Sequence, residues 1–163
     1  MDYEVISDDL IRFADQQNLE KFDVMGHSLG GRAAMTLACR FPDRVDGVIS
    51  VDSAPINEAG NNMFGSFTYG VLEFMHNLSL ENITREEAGL KIRQYFNNKP
   101  QFVGLVEQNI DKRSTDLKWL VNVESLYRNF LNVPYFDETL RFNSDKVYHI
   151  VGGKSHQYPF ESY

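Results

Sequence analysis

An α/β fold built on parallel strands is what the sequence predicts, and three observations predict it. Gly26-His27-Ser28-Leu29-Gly30 falls where a short apolar run, Lys21 to Met25, meets an Ala-rich helical stretch, Gly31 to Cys39. A second apolar run, Val45 to Val51, follows that stretch. A third, Lys146 to Val151, is closed by Gly152-Gly153. A strand, helix, strand order implies a right-handed parallel crossover, and runs of apolar residues suit strands buried in a parallel sheet.

Each element has a local cause. From Tyr3 to about Gln17, Ile6, Leu10, Phe13 and Ala14 recur at the spacing of one apolar helical face, so a helix precedes the first strand. Phe41-Pro42-Asp43-Arg44 ends the Ala-rich helix, because proline disfavours helical backbone at the residue before it. Between the second and third strands, Ser53 to Asp145 holds thirteen of the chain's twenty-one aromatic residues. Helical spacing appears there in Arg85 to Asn97, Gln101 to Ile110 and Val123 to Leu131. Thr84-Arg85-Glu86-Glu87 reads as a capping box, a better account of Thr84 than the glycosylation sequon Asn82-Ile83-Thr84. These aromatics suit a helical lid that walls an apolar pocket and excludes water. The predicted organisation is an elbow core over 1–55, a helical cap over 56–145, and a third strand with its following loop over 146–163.

Composition narrows the functions. A chain of 163 residues suits one domain, and a net charge of -7 with scattered basic residues argues against nucleic acid or an anionic membrane as partner. Cys39, the single cysteine, cannot form an internal disulfide and reads as a small buried hydrophobe. No apolar run is long enough to span a membrane and no basic leader precedes the first helix. The expectation is a soluble intracellular chain, with mitochondrial matrix and cytoplasm both open, that uses no cofactor and no metal.

The Gly-x-Ser-x-Gly pattern arises by chance in roughly one chain in twenty of this length, so its strand-to-helix context carries the reading. A nucleophile elbow holds a serine on a sharp turn at the top of a parallel sheet, with glycines at both flanking positions to let the backbone fold tightly. Serine needs a base to take its proton and donors to stabilise the oxyanion. Ser28 is the candidate nucleophile, and the backbone N–H of Leu29 a candidate oxyanion donor. His27 reads as support that points away from the serine. Asp52, ending the second strand, is the candidate acid, with a turn-capping role as the alternative. His156, beyond the third strand, preserves the order Ser, Asp, His and is a weak candidate base.

The chain resembles the small α/β-hydrolase esterases related to alpha/beta-hydrolase domain-containing protein 11 and its bacterial acyl-ester hydrolase relatives. The resemblance rests on Met1-Asp2-Tyr3, Asp8-Asp9-Leu10, Gly26 to Gly31, Val51-Asp52-Ser53-Ala54-Pro55, Arg85-Glu86-Glu87-Ala88, Trp119 to Leu126 and Gly152-Gly153-Lys154-Ser155. It implies a partial α/β-hydrolase fold of about three parallel strands with flanking helices and a cap insertion. It also implies that the acid falls on Asp52. A complete member begins with four further strands, including a His-Gly oxyanion loop, and ends with a strand and a Gly-His that provides the base; neither stretch is in this sequence. The implied function is serine-nucleophile hydrolysis of a small acyl ester or thioester, weak or absent in the chain alone. Completion would come from a complementing chain or from N- and C-terminal segments. The alternative is a non-catalytic, hydrolase-like interaction module in a larger assembly.

Overall fold

The computed structural model describes residues 2–56, 67–111, 113, 116–130 and 136–153. These belong to two compact units, one drawn from Met1–Gly60 with Leu131–Tyr163 and the other from Asn61–Phe130.

The first unit begins with helix α1, Tyr3–Gln16, whose N-cap Asp2 accepts a hydrogen bond from the Val5 N–H at 2.9 Å. Strand β1, Phe22–His27, helix α2, Leu29–Arg40, and strand β2, Val45–Val51, follow. Arg40 ties α2 to α1 through the Glu4 carbonyl at 2.7 Å and the Asp8 carboxylate at 2.9 Å. Arg44 joins the end of α1 to the turn before β2, donating to Asp15 and to the Glu20 and Leu19 carbonyls. Both strand-to-helix boundaries are tighter than the apolar runs suggest. Ladder pairing carries β1 two residues past Met25, and α2 starts at Leu29, so Ser28 alone separates them.

In the second unit lie α3, Phe67–Asn77, α4, Arg85–Tyr95, α5, Pro100–Glu107, and α6, Val123–Arg128. The box at Thr84 is formed in both directions: its hydroxyl accepts from the Glu87 N–H, and the Glu87 carboxylate accepts from the Thr84 N–H at 2.6 Å. Asn97 and Asn98, both at positive φ, stop α4 short of the predicted end. Pro100 begins α5, its fixed φ suiting the first helical turn. Helix α3 lies outside the three segments picked out by helical spacing. Its buried Val71, Phe74 and Met75 join Ala88, Ile92, Val106 and Val123 in a separate apolar core. His76 pairs with Glu124 at 3.0 Å and stacks on Tyr127, linking α3 to α6.

The chain returns to the first unit with β3, Val147–Ile150. The sheet order is β1-β2-β3, all parallel, with register Val24↔Val48↔Val147 and His27↔Val51↔Ile150. One face packs against α1 and α2. Ala33, Ala34 and Ala38 let α2 approach closely, while Leu37, Val45 and Val48 fill the core with Tyr3, Phe22 and Val24. Phe136 and Phe142, both from the aromatic-rich excursion, pack into this sheet core. On the opposite face Met25, Tyr148 and Ile150 are 70%, 58% and 55% exposed. Cys39 is half-buried, not fully buried as expected, and burial pushes its thiol up, away from nucleophilic character.

Candidate active site

Ser28 is the single residue between a strand and a helix that must change direction at once. The Ser28 N–H donates to the Val51 carbonyl at 3.0 Å, extending the parallel ladder by one step, and its own carbonyl accepts from Gly31 and Arg32. The result is φ 53° and ψ -117° at a residue that carries a Cβ. Such backbone costs on the order of 1–3 kcal/mol and persists only where its surroundings enforce it. A serine at a helix N-cap ordinarily accepts from the second or third helical N–H. The Ser28 side chain makes no such bond, so its hydroxyl is not committed to its own helix.

Gly26 is required by this geometry. A Cβ there would lie 2.0 Å from the Gly30 carbonyl oxygen, as the strand passes directly beneath the first helical turn. The expectation that both motif glycines are needed for tight folding fails at Gly30, where a Cβ meets nothing within 4 Å. The second close approach belongs instead to Gly31, where a Cβ would lie 2.7 Å from Ser53 Cβ and 3.0 Å from Ser50 Oγ.

Six non-glycine residues have positive φ among the described residues: Asn18, Ser28, Asp52, Asn82, Asn97 and Asn98. Four are asparagines, which tolerate left-handed backbone through local hydrogen bonds. The remaining two are the candidate nucleophile and the candidate acid. Because His27 pairs with Val51, Ser28 and Asp52 are the next residues on adjacent parallel strands and leave the same end of the sheet. That end is where ligands bind in open α/β sheets. The Asp52 N–H donates to Ile150 O at 2.7 Å, and Gly152 N–H reaches its Oδ1 at 3.4 Å. Leu29, 43% exposed, is the first residue of α2. An N–H at that position has no acceptor within its helix.

His27 projects with Asp23 and Met25 on the exposed side of β1. His149 pairs with Ser50 in the register, and burial lowers its imidazole below the ordinary value. His156 lies outside the described residues. Helical spacing and motif matching left Arg32 unremarked. Its guanidinium leaves α2 and donates to the Ala54 carbonyl through Nε at 3.3 Å and to the Ile56 carbonyl at 3.0 Å. Among the described residues, no group of three or more His, Cys, Asp or Glu could hold a metal ion, and no helix is long and apolar enough to cross a membrane.

A strained serine between parallel strand and helix, on a sheet flanked by helices, defines an α/β-hydrolase-type architecture. The family model for the alpha/beta hydrolase fold matches residues 1–99, and the chain belongs to that superfamily. Among its relatives is Esterase YbfF of Escherichia coli (strain K12), 27% identical over 158 residues, covering 95% of this chain and 57% of the relative. The sn-1-specific diacylglycerol lipase ABHD11 of Danio rerio is 26% identical over 141 residues, covering 84% of this chain and 44% of that protein. A solved structure, "Marine microorganism esterase", shares the fold with TM-score 0.86 at 23% identity, across 99% of this chain and 62% of the other. The chain therefore spans 44% to 62% of the length of these relatives.

Proposed function

We propose that this chain is the nucleophile-bearing part of a serine hydrolase acting on small acyl esters or acyl thioesters. The backbone at Ser28 carries the reading: strained, between strand and helix, with a hydroxyl that does not cap its own helix. Ester-cleaving relatives, by their printed names, support the substrate class. Ser28 Oγ attacks the acyl carbonyl as a base removes its proton, and the carbonyl oxygen gains the negative charge of a tetrahedral intermediate. The Leu29 N–H stabilises that charge, and collapse expels the alcohol or thiol and leaves an acyl-serine that water hydrolyses. Asp52 orients the base and stabilises its protonated form. Helices α3 to α6, within the predicted cap over 56–145, act as the lid. The base and a second oxyanion donor come from polypeptide that completes the sheet, as a complementing chain or as further N- and C-terminal sequence. Within these 163 residues His156 is the alternative, weaker candidate base.

The test is fluorophosphonate labelling with acyl-ester turnover in a form that hydrolyses esters. Ser28→Ala should abolish both. Asp52→Asn should lower kcat by up to about 10⁴-fold with a smaller change in KM, since the acid acts on the chemical step. Unchanged turnover in Asp52→Asn would return Asp52 to a turn-capping role. The isolated chain should be inactive or nearly so, and turnover by it comparable with intact hydrolases would count against this reading and promote His156. A second reading, a non-catalytic hydrolase-like module held in an assembly, draws on the exposed apolar sheet face. Normal assembly with no Ser28 labelling in any form would favour it.

A further inference from the structure

Among the described residues, the segment that carries Asp52 is held chiefly by side chains from α2 and β2. Beyond the Asp52 N–H bond to Ile150, the backbone of Ser53 to Ile56 leaves the sheet, and its carbonyls are met by side chains. Ser50 Oγ donates to the Ser53 carbonyl at 2.8 Å. Arg32 takes those of Ala54 at 3.3 Å and Ile56 at 3.0 Å, across sequence separations of 22 and 24 residues. Arg32 follows Ser28 by one helical turn, and the intervening Gly31 lies against Ser53 with no side chain to separate them. The Tyr3 phenol is buried in the core, which raises its pKa, and the nearby Arg32 guanidinium offsets part of that rise. The nucleophile's helix and the acid's loop are thus held by one planar group with several donors in fixed geometry, which a single ammonium cannot reproduce.

We propose that Arg32 is a positioning residue that fixes the Asp52 loop against the nucleophile helix, so that the carboxylate keeps its place beside Ser28 at the sheet end. It acts through Asp52 and touches neither substrate nor reacting atoms. The proposal rests on the reading of Asp52 as the acid partner. A displacement of the order of 1 Å in such a group can cost about 100-fold in rate.

Arg32→Met, Arg32→Lys, Asp52→Asn and the Arg32→Met/Asp52→Asn pair separate this role from general packing. In a cooperatively folding form, hydrogen exchange is read at the Asp52 and Gly152 amides, with the β1 and β2 ladder amides as internal controls. Arg32→Met should speed exchange at Asp52 and Gly152 at least tenfold while the ladder amides stay protected, with Arg32→Lys intermediate because it can reach one carbonyl at a time. Unchanged exchange at Asp52, or equal acceleration across the whole sheet, would overturn the proposal. In the ester-hydrolysing form, Arg32→Met should slow fluorophosphonate labelling of Ser28, and adding it to Asp52→Asn should cause no further loss. Losses that multiply would place Arg32 outside the Asp52 pathway and overturn the proposal too. Absence of Ser28 labelling in the unaltered protein tells against the hydrolase reading alone, and the exchange arm then decides Arg32.

Discussion

An alanine at Gly26 would set its Cβ 2.0 Å from a backbone oxygen that cannot rotate away, whereas at Gly30 the same methyl enters open space. Two glycines of one motif therefore predict opposite outcomes. Gly26→Ala should destabilise by about 1–3 kcal/mol or more, the range of overpacked sites. Gly30→Ala, inside α2, should stabilise by about 0.5–1 kcal/mol by removing backbone freedom from the unfolded chain. Denaturant unfolding of a cooperatively folding form, comparing midpoints, checks both. Equal losses at the two positions would refute the steric account. Ser28 and Asp52 were legible as candidates because motif and strand end are local features. Their shared positive φ was not, since backbone strain is imposed by the ladder bond from Ser28 to Val51 and by the bond from Asp52 to Ile150.

At the scale of elements, α4 depends on its first turn. The Thr84 backbone N–H, followed by its hydroxyl, holds the Glu87 carboxyl below the usual carboxylate range. Thr84→Ala should cost about 1 kcal/mol, as loss of an N-cap does, seen as a lower unfolding midpoint of the second unit. Strand β3 gives a pH dependence. Burial lowers His149 from 6.5 in the folded protein, so the unfolded chain takes up the proton first and stability declines as pH falls through about 6.5. His149→Gln should flatten that part of the profile. Asp46 contributes to the next step. Its bonds from Lys146 and then Lys21 hold its carboxyl below 3.8, so this stabilisation is complete above that value and disappears as pH drops through the lower folded value. Asp46→Asn should shrink this lower step, to which Glu87, Asp111 and Asp137 also contribute, while leaving the His149 step in place. Thermal midpoints across pH 3 to 8, roughly the span of the carboxylate and imidazole values, check both.

At the largest scale, α1 and α2 cover one face of the sheet, and on the other Met25, Tyr148 and Ile150 are exposed. Register places Met25, Ile49 and Tyr148 side by side, with Val51 and Ile150 one step further along. Parallel sheets occur almost only with both faces covered, and an unpaired strand edge is a template for association. The isolated chain should therefore elute as an aggregate or melt without a cooperative transition. Replacing both Met25 and Ile150 with serine should reduce the aggregation. A monomer that unfolds sharply on heating would contradict this expectation. The order of strands and helices was readable in advance because periodicity, proline and capping residues act within a few positions. Helix α3 was not, because its apolar residues face a core that exists only after α4, α5 and α6 assemble around it.

By itself, the sequence determined the parallel α/β plan, the elbow at Gly26 to Gly30 and the strand Val45–Val51, since each rests on short-range patterns. Only the tertiary structure decided which glycines the elbow needs, that Phe136 and Phe142 pack into the sheet core, and that Arg32 reaches the Asp52 loop. Those are contacts between residues distant in the chain, and their existence depends on register and helix docking, which no local pattern encodes.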